Sequence, residues 1–117
     1  MLPKANRLAK RTDIERVFKR GKTFFVGNLS IRTAANNLAV SRFTVVVSTK
    51  ISKKATRRNR LKRLIREAIR REALPKTKPG YDGIIMTQKG AMEKNYNEIT
   101  KLVVGLFKKA KITQDDR

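Results

Sequence analysis

Residues Lys50–Arg71 read KISKKATRRNRLKRLIREAIRR, and the fold turns on how that stretch is organised. It carries 11 of the chain's 30 Lys and Arg residues against a single acid, Glu67. Its apolar residues fall at Leu61, Leu64, Ile65, Ala68 and Ile69, which is the spacing of one face of a helix. At about 100° per residue, Asn59, Arg63, Arg66 and Arg70 lie on the opposite side, so the helix is expected to dock on a core and present a basic ridge outward. Arg57 and Arg58 continue the line of Leu61 and Ile65 instead. Charges are not buried there unpaired, so the first turn is expected to overhang the core. Lys53 and Lys54 come just before it, at the end where the helix dipole is already positive. Each such placement costs on the order of 0.3–1 kcal/mol before screening. Free backbone N–H groups and clustered guanidinium groups at one helix start suit phosphates, which would remove that cost.

Upstream of this helix, RFTVVVS (Arg42 to Ser48) is the strongest strand signal in the chain, and its apolar character on both faces predicts a strand interior to a sheet. Thr56 is the expected N-cap of the helix. Residues 22–33, KTFFVGNLSIRT, alternate as a strand, but the phase shifts from Phe24 and Val26 to Leu29 and Ile31 across Gly27-Asn28, so a bulge or a break is expected there. With Leu29 and Ile31 on the core side, Ser30 and Arg32 face the other way. Thr12-Asp13-Ile14-Glu15 has the form of a capping box opening a short helix that docks through Ile14, Val17 and Phe18, with Gly21 as its stop. Residues 1–11 read as an extended basic arm.

Downstream, PKTKPG ends the basic helix near Leu74, and DGIIMT (Asp82 to Thr87) is a further strand. A last helix begins near Ala91 or is renewed at Asn95, where Asn-Tyr-Asn-Glu makes a second capping box with Glu98. Tyr96, Ile99, Leu102, Val103, Leu106 and Phe107 form its apolar face, and Gly105 within it suggests close approach to a neighbour. Residues 112–117 are expected to fray. The order predicts one α+β domain over residues 1–117, a two-layer α-β sandwich on a small mixed sheet of three or four strands with three helices.

Composition narrows the function. A net charge of +21 over 117 residues points to a polyanionic partner, with nucleic acid ahead of an anionic membrane surface. No apolar run approaches the ~20 residues of a membrane span, and the N-terminus lacks a signal-peptide core, so a cytoplasmic protein is expected. There is no Cys and no His, which excludes disulfides, thiolate catalysis and the commonest general base and metal ligand. The nine carboxylates show no pairing suited to holding Mg²⁺ or splitting a bond, so any chemistry belongs to a partner.

The run ATRRNRLKRLIREA, preceded by VVVSTKISKK, resembles the Arg-Asn-Arg signature of the bacterial ribonuclease P protein component. The NRLAKRTDIERVFKRGK opening, the LSIRT and RFTVVVS strands, YDGIIMT and NYNEITKLVVGLF follow in that family's order. The resemblance implies a protein that binds a large catalytic RNA and the 5′ leader of precursor tRNA, assisting Mg²⁺-dependent hydrolysis in which the RNA does the chemistry and holds most of the Mg²⁺. No membrane and no obligate protein partner are implied. It also implies a left-handed crossover around the basic helix, against the usual rule. By position, Arg58, Asn59, Arg60, Lys62, Arg63 and Arg66 correspond to the RNA-contacting motif, with Lys53, Lys54, Arg57 and Arg70 extending the basic surface. Ile14, Phe18, Ser30 and Arg32 map to a cleft for the single-stranded leader. The chain departs from the family where Ile14 and Arg32 replace rings, and where the Ser48–Arg58 stretch is one residue longer, with Ser52 in place of a common Gly. The alternative is a ribosomal or general RNA-binding protein, which shares charge, size and fold class but needs no leader cleft.

Overall fold

Alternating apolar residues build four strands, and 3.6-residue periodicity builds three helices around them. The computed structural model describes residues 2–114. In chain order the elements are α1 (Arg11–Arg20), β1 (Lys22–Val26), β2 (Leu29–Ala35), β3 (Arg42–Val46), α2 (Ala55–Ala68), β4 (Tyr81–Thr87) and α3 (Tyr96–Lys109). The sheet order is β1-β2-β4-β3, antiparallel except for the β3 and β4 pair, which run parallel and are joined through α2. Leu61, Ile65 and Ala68 of α2 and Ile99, Val103, Leu106 and Phe107 of α3 pack with Leu29, Ile31, Phe43, Val45 and Ile85 on one face. Phe43 of β3 meets Phe107 of α3 with ring centroids 4.9 Å apart. Burying each such side chain contributes about 1.5–3 kcal/mol. On the far face a smaller cluster of Leu8, Val17 and Ile84 seats α1, with Ile14, Ala34 and Met86 against it.

The phase shift at Gly27-Asn28 is a break: Val26 pairs with Leu29, so the two residues between them form a hairpin turn, with Gly27 at φ 56°. The second capping box forms as expected, Asn95 accepting from the Glu98 N–H at 2.9 Å and Glu98 from the Asn95 N–H at 3.1 Å. Gly105 of α3 does lie against β1, where a Cβ would stand 3.4 Å from Val26.

Other local expectations are corrected. α1 starts two residues earlier than a Thr12 cap would have it, Lys10 is its N-cap, and Glu15 accepts from Arg11 Nε at 3.0 Å. Its end at Gly21 is extended, not left-handed. Glycine is needed there for space, since a Cβ would meet the Val17 and Thr33 carbonyl oxygens at 2.5 and 2.8 Å. Lys54, not Thr56, is the N-cap of α2, without a side-chain cap bond. Beyond Ala68 the helix continues as a π-helical turn over Ile69–Ala73 before Pro75 ends it.

Two larger corrections concern edges. β3 lies at the edge of the sheet; its outward backbone is covered by the N-terminal segment, which is docked and not an extended arm. Arg7 bridges to Phe43, the Leu8 N–H donates to the Phe43 carbonyl at 3.0 Å, and Leu2 and Leu8 are buried. At the other terminus Ile112 is buried, Thr113 is bridged to Thr77, and the exposed Gln114 donates its N–H to the Lys76 carbonyl at 2.6 Å. Residues 115–117, the rest of the expected frayed tail, lie outside the described residues.

Candidate nucleic-acid interface

The docked face of α2 dictates what the other face can do. Arg57, Asn59, Arg60, Arg63 and Arg70 are exposed, as are Lys53 and Lys54 ahead of them, while Lys62 and Arg66 are half-buried. The expected ridge is therefore formed. No acid lies in the first turn of α2. Among the described residues the one acid that ion-pairs with the stretch is Glu67, which binds Arg70 and lies 3.7 Å from Arg71. The hydrogen bond from Arg70, ahead of opposing desolvation, holds the Glu67 carboxyl below its ordinary value. That pairing stabilises above the unfolded value and is lost as pH falls through the folded one. Arg58 departs from the ridge: it is half-buried and folds back to donate from Nη1 to the Ser52 carbonyl at 2.9 Å. The loop ahead of α2 thus supplies the acceptor that lets this charge sit beside the core.

The ridge adjoins other basic residues at both ends. Near the start of α2, Lys50, Arg57 and Lys89 line one crevice of about 570 Å³ at the C-terminal ends of β3 and β4. Further along, Arg66 and Arg7 line another with Leu8 and Phe43.

The far face of the sheet has a different chemistry. Phe18 of α1 is 47% exposed, Ile14 is half-buried against the Val17 and Ile84 cluster, and Ser30 is buried with Gln88 donating to it at 3.3 Å. Arg32 is committed to the protein itself. Its Nε donates to the Val17 and Phe18 carbonyls at 3.1 Å, Nη2 to the Phe18 carbonyl at 2.7 Å and Nη1 to Thr23 Oγ1 at 2.7 Å. It completes the C-terminal end of α1, where carbonyls lack helical donors. The four residues Ile14, Phe18, Ser30 and Arg32 thus share one face, but two of them are occupied by internal hydrogen bonds.

A sequence model of the family described as ribonuclease P matches residues 2–111. The chain belongs to the ribonuclease P protein family. It is 39% identical over 115 residues to the ribonuclease P protein component of Microcystis aeruginosa, covering 95% of each chain. It is 40% identical over 112 residues to that of Synechocystis, covering 95% of this chain and 90% of the relative. The RNase P protein of Thermotoga maritima superposes with a TM-score of 0.79 at 31% identity, covering 88% of this chain and 96% of that one. That of Staphylococcus aureus gives 0.82 at 26% identity, over 95% and 100%.

In this ribonuclease P family chain the sequence signals passed over three neighbours on the far face. Phe25 is 55% exposed, Val46 is 43% exposed and Met86 is half-buried. The signal was period-two alternation: Phe24 and Val26, like Val45 and Val47, belong to the core, so the residues between them point away. Asp82 was also passed over. It is fully buried and accepts from Arg16 Nη2 at 2.6 Å, Arg42 Nε and Nη2 at 2.9 and 2.7 Å, and Asn36 Nδ2 at 2.8 Å. Arg42 also reaches Asp13 at 3.2 Å. The hydrogen bond to Asp82 comes first, against partial desolvation, in holding the Arg42 guanidinium above its ordinary value.

These contacts bear on the Mg²⁺ that the family resemblance implies. Among the described residues no three acidic groups converge. Asp13 and Asp82, joined through Arg42, already have guanidinium partners on their oxygens, which is the wrong surrounding for a hard dication. Among the described residues none fits a Mg²⁺ site. Among the described residues no helix is long and apolar enough to cross a membrane.

Proposed function

We propose that this chain is the protein subunit of ribonuclease P, that its α2 ridge binds the catalytic RNA, and that its far sheet face receives the 5′ leader of precursor tRNA. The single observation that carries this reading is the division of one small core into two outward surfaces of different chemistry. The ridge is dense in guanidinium and ammonium groups with one acid, which suits phosphates on folded RNA. The far face offers Phe18 beside apolar neighbours, which suits the faces of unpaired bases. Neither surface supplies a nucleophile, a general base or a metal site, so cleavage of the leader is assigned to the RNA. The protein's part is to hold the RNA, to place the leader and to bring positive charge to both. A general RNA-binding role would need the ridge alone; family membership and the second surface favour the ribonuclease P reading.

Replacing Arg60 and Arg63 together by Ala is expected to weaken assembly with ribonuclease P RNA and to lower the salt slope by about two. The same pair should leave the preference of the assembled enzyme for leader-bearing over leaderless tRNA nearly unchanged. Phe18→Ala should do the reverse, leaving assembly intact and reducing that preference by about 1–3 kcal/mol, the value of a lost base stack. Binding of both tRNAs by each assembled variant measures both effects. A Phe18→Ala chain that loses stability and keeps the full preference would make Phe18 a packing residue and remove the leader face from the account.

A further inference from the structure

Among the described residues five large apolar side chains are exposed, and three of them, Phe18, Phe25 and Val46, lie on the far face of the sheet. Phe25 pairs in register with Ser30, two residues along β2 from Arg32, so its ring shares their face. A single exposed Phe needs no explanation. Here one side chain links the end of α1, which carries one ring, to the strand that carries the other. The Arg32 guanidinium donates to the carbonyl of Phe18 and, through Nη1, to Thr23 Oγ1 at 2.7 Å. Thr23 precedes Phe25 by two residues on the same face of β1, a rise of about 7 Å along the strand. From the other layer, Lys109 Nζ donates to the Phe25 carbonyl at 2.8 Å, which holds the edge strand at that residue.

We infer that Phe25 is a second base-stacking platform for the unpaired RNA strand, engaging a different nucleotide from Phe18, and that Arg32 is the positioning residue that sets the two rings relative to each other. This rests on the leader reading above and extends it. A single RNA strand is the occupant because a ring on an open sheet face gains most from an unpaired base, and because a chain of net charge +21 repels a second copy of itself. Exposed Lys19 stands next to Phe18 in sequence and carries charge that a backbone threading between the rings requires. The inference also gives Arg32 a role consistent with its bonds: its guanidinium braces the rings instead of stacking.

The test uses enzyme assembled from ribonuclease P RNA and the unaltered, Phe18→Ala, Phe25→Ala or Arg32→Lys chain, binding precursor tRNAs whose leaders are shortened one nucleotide at a time. Phe25→Ala is expected to weaken binding of the full-length leader by about 5- to 150-fold, the range of one lost stack. That loss should vanish at a leader length different from the one at which the Phe18→Ala loss vanishes. Arg32→Lys keeps the charge but not the fork, and should weaken leader binding while leaderless tRNA and the RNA itself bind as before. If Phe25→Ala binds every leader normally while Phe18→Ala does not, the second platform is refuted and the leader reading stands. If both losses vanish at the same length, the rings share one base and the inference fails. If neither variant affects any leader, the leader reading fails as well. A Phe25→Ala chain that changes only the oligomeric state of the free protein would assign the ring to self-association and overturn the inference.

Discussion

Between about 50 and about 200 mM salt, assembly of the chain with ribonuclease P RNA is expected to weaken on the order of 10³-fold or more. Each phosphate neutralised releases counterion, and the logarithm of affinity falls with the logarithm of salt by about 0.9 per contact on a duplex. Lys53, Lys54, Arg57, Arg60 and Arg63 are exposed and Lys62 and Arg66 half-exposed, with no described acid in salt-bridge contact with any of them. If about six of these meet phosphates, a fourfold rise in salt lowers affinity by roughly three decades. Arg58 and Arg70 should contribute least, because the Ser52 carbonyl and Glu67 already hold them. Binding isotherms at four or five salt concentrations give the slope directly. A slope of one or two would mean that α2 presents a solvated face and that the RNA is held elsewhere.

Asp82→Asn is expected to cost the free protein about 3 kcal/mol of stability, read as a lower urea midpoint at unchanged slope. Asp82 lies at 0% exposure between Arg16 and Arg42, whose side chains are 29% and 20% exposed. Removing its charge leaves two guanidinium groups and the Asn36 amide N–H converging on a neutral amide. Partial exposure of both arginines lets water relieve part of the penalty, which sets the estimate at the low end of the range for breaking a buried pair. The raised Arg42 value means that its side of the bond is fully present below the unfolded arginine value and lost only as pH rises through the folded one, so the pair persists across neutral pH. Because Arg16 belongs to α1 and also donates to the Ala35 carbonyl, the same change should loosen α1 on the sheet and, with it, Phe18. A variant as stable as the parent would show that α1 is held by Val17 and Ile84 alone.

What could be read from the sequence was local and periodic. The α2 stripe, the strand at residues 81–87 and the Asn95–Glu98 box all depend on residues within a few positions of one another, and all formed. Thr12–Glu15 has the same local form as Asn95–Glu98 but lost to Arg11, which starts the helix earlier and takes the Glu15 carboxylate. The placement of β3 at the edge was hidden because the residues that cover it are dozens of positions away, in a segment that reads as a basic arm. Asp82 was unreadable for the same reason: its partners lie 40, 46 and 66 residues distant. The ridge of the candidate site followed from helix geometry, whereas the far face needed the register of β1 on β2, which brings Phe25 opposite Ser30.

The most direct test of the proposed role is cleavage of precursor tRNA at low Mg²⁺ by a bacterial ribonuclease P RNA, with and without this chain. The account predicts that the chain alone cleaves nothing with any metal, that the RNA alone is weak at low Mg²⁺, and that adding the chain restores removal of the 5′ leader. Cleavage by an RNA-free preparation of the chain, or no change in the Mg²⁺ that the RNA requires, would contradict it.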